Sequence, residues 1–169
     1  MILEKVISGG QTGADQGGLL AARAAGILTG GWAPQGYRTL NGFEPLLGAV
    51  YGLMEHHSPH YRDRTWSNVQ DADATVRIAH DWHSPGELCT HRATLYFNRP
   101  RIDIRVPDTY DLQDLAASCP QQPPQVLADW IIEHKVKVLN VAGNSEQTWP
   151  GIGVFAEAYL FQALKLLQK

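Results

Sequence analysis

The residues best suited to chemistry lie in two glycine-bearing stretches and at a few charged positions near them. The first stretch, Ser8-Gly9-Gly10-Gln11-Thr12-Gly13-Ala14-Asp15-Gln16-Gly17-Gly18, follows the β-branched pair Val6-Ile7 and precedes Leu19-Leu20-Ala21-Ala22-Arg23-Ala24-Ala25, a run of strong helix formers. That order predicts strand, turn, helix. A helix start offers unpaired N–H groups and the positive end of the helix dipole, and glycines let the backbone approach a ligand closely. Gly9, Gly10, Gln11, Thr12 and Gly13 therefore form a candidate seat for phosphate, molybdate or a carboxylate. The spacing is neither G-x-G-x-x-G nor a P-loop with its lysine, and a tight turn in which Gly17 and Gly18 only ease helix packing explains the same residues. Asp15 repels a bound dianion if it faces one. Either it turns away, or it accepts hydrogen bonds from ligand hydroxyl or amino groups, or it holds a cation against a phosphate.

The second stretch, Gly143-Asn144-Ser145-Glu146-Gln147-Thr148-Trp149-Pro150-Gly151-Ile152-Gly153, has the same placement before the last helix. Gly143, Asn144, Ser145, Gly151, Ile152 and Gly153 join the candidate ligand-binding set. Arg64 can clamp an oxyanion with its planar fork, although a surface ion pair would serve such an arginine equally well. Glu157 is either a ligand-directed acid or a residue favoured by the helix dipole. His56, His57 and His60, and the pair His80 and His83, lack the Cys or carboxylate partners that complete a metal site, so no metal is expected. Ser8 has no G-x-S-x-G frame, and neither cysteine has a recognisable base. Catalysis would need Asp15 and Glu157 to meet over an N-glycosidic or phosphoester bond. Binding needs only the glycine loops and ranks first; a nucleotide-processing hydrolase ranks second and a purely structural interaction module third.

These residues need a frame. Strands are expected at Val6-Ile7, within 26–32, at Ala74–Ala79, at Ile102–Val106 and at Lys137–Ala142, with helices after the first glycine turn, from Ser58-Pro59 to about Ala72, through Leu88–Leu95, from Pro123-Pro124 onward and at the C-terminus. Ile102, Ile104 and Val106 alternate with Asp103 and Arg105, as on a half-exposed strand near a sheet edge. Residues 37–57 show no dependable period, and 111–117 suggest a short helix. The alternation predicts an α/β, Rossmann-like three-layer sandwich with a mostly parallel sheet of about five or more strands. The loops beginning at Ser8, Ala33, His80 and Gly143 would share the carboxyl edge of that sheet, where such folds bind ligands.

With 169 residues the chain fits one domain, 1–169. Lys plus Arg number 14 against 17 Asp plus Glu, and the net charge of −3 argues against a nucleic-acid or membrane surface. Cys89 and Cys119 stand far apart, no uninterrupted apolar run approaches a membrane span, and the start carries no signal-peptide pattern, so a cytoplasmic protein with free thiols is expected. On the last helix Phe161 falls between the polar residues Glu157 and Lys165, while Leu160, Leu164 and Leu167 widen the apolar surface. A homo-oligomer, dimer or tetramer, is expected on this helix.

Taken together, Ile7-Ser8-Gly9-Gly10-Gln11-Thr12-Gly13-Ala14-Asp15, Trp32-Ala33-Pro34-Gln35-Gly36, Tyr61, Arg64-Thr65, Asn68-Val69, Leu139-Asn140-Val141-Ala142-Gly143 and Pro150-Gly151-Ile152 resemble the molybdenum carrier family, circularly permuted YpsA-like proteins of the SLOG superfamily. The resemblance covers nearly the whole chain. It implies a Rossmann-like fold, oligomers, and binding of a phosphorylated small molecule, with molybdenum cofactor or a nucleotide as the cofactor. Pro150-Gly151-Ile152-Gly153 with Glu157 is also similar to the P-G-G-x-G-T-x-x-E element of phosphoribohydrolase relatives, but Ile152 replaces a glycine and the Thr is missing. Ser84-Pro85-Gly86-Glu87 stands where the family pattern implies a Gly-Gly-Thr type turn, and its proline and acid count against a third anion seat.

Overall fold

The computed structural model describes residues 3–168. The strands are β1 (Lys5–Ser8), β2 (Leu28–Ala33), β3 (Arg38–Thr39), β4 (Gly42–Phe43), β5 (Leu53–Glu55), β6 (Ala74–Ala79), β7 (Arg101–Arg105) and β8 (Val138–Gly143). The helices are α1 (Ala14–Ala24), α2 (Leu46–Tyr51), α3 (Tyr61–Asp71), α4 (Pro85–Tyr96), α5 (Leu115–Ser118), α6 (Pro124–Glu133) and α7 (Ile152–Leu166). Six strands form one parallel sheet in the order β5-β2-β1-β8-β6-β7, and β3 and β4 form a separate small hairpin. The expected Rossmann-like sandwich is what the chain adopts.

Helices α1, α6 and α7 pack together on one face, whereas α3 and α4 pack on the other. The main core fills the first side with Leu3, Val6, Leu127, Ile131, Phe155 and Tyr159, all almost wholly buried. At the upper limit of transfer bookkeeping, such a fully buried side chain contributes about 1.5–3 kcal/mol. The connection leaving β8 runs to α7 on one face, and that leaving its neighbour β6 runs to α4 on the other. Adjacent strands whose connections part in this way open a crevice at their carboxyl ends.

Several expected elements differ in detail. Helix α3 begins at Tyr61 after the N-cap His60, because Ser58 turns back to accept the His60 N–H and to bond Asp63. Residues 37–57 contain the β3–β4 hairpin, α2 and the edge strand β5, which pairs with Gly31–Ala33. Strand β7 is the sheet edge expected from its alternation. Arg77, which alternates with Val76 and Ile78 on β6, is buried, since every residue of β6 is covered. On α7, Leu160 and Leu164 are buried against the same chain, leaving Val154 and Phe161 as its outward apolar residues. Among the described residues no helix is long and apolar enough to cross a membrane.

Candidate ligand-binding site

A cavity of about 360 Å³ opens at the crevice. Its walls come from Gln11 in the loop after β1, Asp15 in the first turn of α1, the first turns of α3 (Tyr61, Arg64, Thr65), the start of α4 (Ser84–Glu87, Cys89, Thr90) and the end of β8 with the loop after it (Gly143–Ser145, Gln147, Thr148). The carboxyl-edge loops thus converge as the sheet order requires.

The loop after β1 has already spent most of its N–H groups. Gly10 N donates to Ser8 Oγ (3.2 Å), Gln11 N to Asp15 Oδ2 (3.2 Å), Thr12 N to Gln11 Oε1 (2.9 Å) and Ala14 N to the Asn144 carbonyl (3.1 Å). Gln11 Oε1 also accepts from Leu40 N, which ties the β3–β4 hairpin across the loop. Gly13 holds φ at +92°, and a Cβ there would crowd the Asn144 carbonyl and lie 2.8 Å from Ser145 Cα. Gly13 therefore faces the backbone of the 144–146 loop, and its small size serves contact between the two glycine stretches. Thr12 Oγ1 is buried without a hydrogen-bond partner.

Asp15 is buried at 4% exposure, and burial pushes its carboxyl above the usual range while the charge of Arg64 opposes the shift. Arg64 Nη1 lies 3.6 Å from Asp15 Oδ2 and donates to Thr65 Oγ1 at 3.0 Å. The guanidinium rests flat on Gly9: a Cβ added at Gly9 would sit 2.6 Å from Arg64 Nε and closer still to Cζ and Nη1. Arg64 Nε is buried with no acceptor. Gly9 is thus a platform for the arginine.

The second stretch divides. Gly143 and Ser145 line the cavity. Asn144 does so too, but its Oδ1 accepts from His80 N (2.8 Å) and Asp81 N (2.9 Å) and its Nδ2 donates to the Asp81 carbonyl (2.8 Å), so its amide stitches the β6 loop to the β8 loop. Gly151 and Gly153 lie outside the lining, and both their N–H groups donate to the Glu146 carboxylate at 2.7 Å. The expected second anion seat is therefore filled by the chain's own acid, which caps α7. Ile152 is wholly buried in the core. Glu157 lies along α7 where α1 crosses it, with its backbone against Gly17, and is outside the cavity, so the structure does not bring Asp15 and Glu157 together there.

Glu87, where the chain departs from the family's glycine turn, lines the cavity at 1% exposure. It occupies the first turn of α4, whose N-cap Ser84 and N1 proline start the helix at the cavity wall. Burial pushes the Glu87 carboxyl up to about 8, against the pull of Arg77. Arg77 gives two 2.7 Å bonds to Asp103, donates to the Glu87 carbonyl at 3.0 Å, and lies against the Trp82 ring. Among the described residues no group of three or more His, Cys, Asp or Glu is placed to hold a metal. His56 and His57 stack on each other, while His80 stacks on Trp149 and bonds Asp108.

The model of the circularly permutated YpsA SLOG family matches residues 6–164. The chain belongs to that family. A solved structure described as "Putative molybdenum carrier protein", from Syntrophus aciditrophicus SB, is similar at 31% identity with a TM-score of 0.79, over 96% of this chain and 95% of that one. No curated protein matches. The SLOG membership expected from the Ile7–Asp15 block thus holds over nearly the whole chain, and the sheet of the solved relative is of the same fold.

Proposed function

We propose that this SLOG protein binds a small ligand carrying an oxyanion, either a phosphorylated molecule such as molybdenum cofactor or a nucleotide, or molybdate itself, and holds it in the crevice without turning it over. The observation carrying the proposal is Arg64: a guanidinium seated on Gly9, beside the cavity, with a buried Nε that has no acceptor. A donor left unpaired in a dry site costs about 1–3 kcal/mol, and an anionic ligand would relieve that cost through a charge-assisted bond. A cavity of about 360 Å³ also has room for more than a bare tetrahedral anion.

The binding groups in this proposal are Arg64, Thr65 and Gln11 with the edge of the loop after β1, and Ser145 with Thr148 opposite. Gly10 to Gly13 shape the seat; Gly151, Ile152 and Gly153 act on it only by holding α7 in place. The relative's name motivates molybdate as the first probe. A homo-oligomer in the cytoplasm, where Cys89 and Cys119 stay reduced, completes the proposal.

Calorimetric titration with molybdate, inorganic phosphate and AMP tests it. Saturable binding of at least one probe, weakened in Arg64→Ala, is expected. Equal binding by the variant, or none by the wild type, refutes the proposal. Release of base from AMP that depends on Asp15 would instead place the protein among hydrolases.

A further inference from the structure

Oxyanion binding leaves Glu87 unexplained, and an ionised acid facing an anion would oppose it. Its Oε2 is buried and makes no hydrogen bond. Arg77 Nη1 forms an ion pair with it at 3.5 Å but gives it no hydrogen bond, because the guanidinium is already committed to Asp103 and to the Glu87 carbonyl. A buried carboxylate oxygen whose ion-pair partner gives it no hydrogen bond is disfavoured, whereas the protonated acid has an O–H to give. The side chain lines the same cavity as Arg64, at the N-terminus of the twelve-residue helix α4.

We infer that Glu87 is a specificity-determining residue of this cavity: it binds as the carboxylic acid, donating its O–H to a ligand oxyanion at the start of α4, so that anion binding and ionisation of Glu87 exclude each other. The inference rests on the oxyanion function proposed above and adds the chemical state of the site. A cation held between Asp15 and Glu87 is the competing occupant. The ion pair of Arg64 with Asp15 argues against it, as does the lack of a third metal-capable group among the described residues.

The charged groups around Glu87 are known. Arg77 of β6 is the cation paired with it. Asp103 of β7 is partly desolvated, yet the bonds and charges of Arg77 and Arg101 hold it below the usual carboxylate range. Asp81, after β6, and Asp15, on α1, add negative charge that favours the protonated form of Glu87. On α4 itself, burial pushes the Cys89 thiol up from its usual range. Asp15 is also shifted upward, so a separate variant must distinguish it.

The test is calorimetry with AMP and with molybdate at constant ionic strength from pH 6.5 to 9.5. AMP loses its second phosphate proton near pH 6, so a slope above pH 7.5 belongs to the protein. In the wild type, affinity should hold steady below pH 7.5 and then fall toward tenfold per pH unit beyond about 8, the value to which Glu87 is pushed. Heats measured in two buffers should show one proton taken up per ligand bound at high pH. Glu87→Gln keeps a neutral donor and should bind with a flat profile, about tenfold or more tighter than wild type at pH 9.5; Asp15→Asn should retain the slope. A flat wild-type profile, an unchanged slope in Glu87→Gln, or binding that strengthens with pH or requires a divalent cation overturns the inference. If Glu87→Gln does not fold, the wild-type proton uptake decides alone. Binding that Arg64→Ala abolishes but that ignores pH defeats this inference and spares the oxyanion function, whereas no binding of either probe at pH 7 defeats both. Response to AMP alone identifies a phosphomonoester site, and response to molybdate alone a metal-oxyanion site.

Discussion

Replacing Gly9 by Ala should displace Arg64 from its seat and, under the proposed function, weaken ligand binding. All three of the nearest atoms that a Cβ at Gly9 would meet belong to the Arg64 guanidinium, with Nε at 2.6 Å and the other two nearer. Gly9 does not use the left-handed region, so alanine is no strain on the backbone, and the flexible end of Arg64 is the part that yields. Once displaced, Arg64 leaves its 3.6 Å position beside Asp15 and withdraws its unpaired Nε from the cavity. Loss of one charge-assisted hydrogen bond costs about 1.5–3 kcal/mol, which is about 10- to 150-fold in affinity. Stability should barely change, because alanine lowers the entropy of the unfolded chain by an amount worth about 0.4–1 kcal/mol, offsetting the lost arginine packing. A shift in melting midpoint within about 3 °C is expected for a domain of this size. Titration of Gly9→Ala, Arg64→Ala and the double variant with whichever probe binds would measure the coupling. Both substitutions remove the same contact, so the double variant should bind no more weakly than Arg64→Ala. Wild-type affinity in Gly9→Ala, or full additivity of the two losses, would refute the platform role of Gly9.

Three other outcomes follow from the same contacts. Unfolded Glu87 titrates at its ordinary 4.5 but keeps its proton to about 8 in the fold, so the native state holds the extra proton between those values and stability falls as pH rises through that window, by at most about 1.4 kcal/mol per pH unit. Urea unfolding at pH 5, 6.5 and 8 should show this decline in wild type and its loss in Glu87→Gln; parallel curves for the two would exclude it. Glu146→Ala should cost about 1–3 kcal/mol, since it strips the acceptor from two N–H groups at the start of α7, and exchange of the Gly151 and Gly153 amides should quicken with no effect elsewhere on the sheet. The homo-oligomer now depends on Val154 at 56% and Phe161 at 36% exposure, seven residues apart on one side of α7: light scattering should give a dimer or tetramer that Phe161→Glu dissociates, and a monomeric wild type would end the claim.

What could be read in advance was what local sequence encodes. The turn between Val6-Ile7 and the Leu19–Ala25 run announces itself by composition, and β7 shows its edge position through the alternation of Ile102, Ile104 and Val106 with Asp103 and Arg105. Strand β5 spans three residues, too few to show a period, and exists because Gly31–Ala33 offers it a partner. The burial of Arg77 is hidden for a similar reason. Its burial depends on Asp103 lying directly across the β6–β7 register, a pairing made between strands and absent from either strand alone.

The candidate site was legible in place but not in mechanism, and the difference has one physical source. Glycine turns at helix starts suggest free N–H donors awaiting an anion, yet whether those donors are free depends on where nearby carboxylates fold. Asp15 takes Gln11 N in the loop, the Asn144 carbonyl takes Ala14 N at the start of α1, and Glu146 reaches forward to Gly151 N and Gly153 N, so donors at both starts are engaged within the chain. Capping shifts the unspent hydrogen-bonding capacity from backbone to side chains: the Arg64 Nε on its Gly9 platform, the Thr12 hydroxyl, and the Glu87 carboxyl at the start of α4. Buried polar atoms in a folded protein are almost always paired, so under the function proposed above the orphans at Arg64 and Glu87, which line one cavity from two helices, are the groups a ligand would partner. In that reading Arg64 brings a cation and Glu87 a proton, and an oxyanion would satisfy both at once.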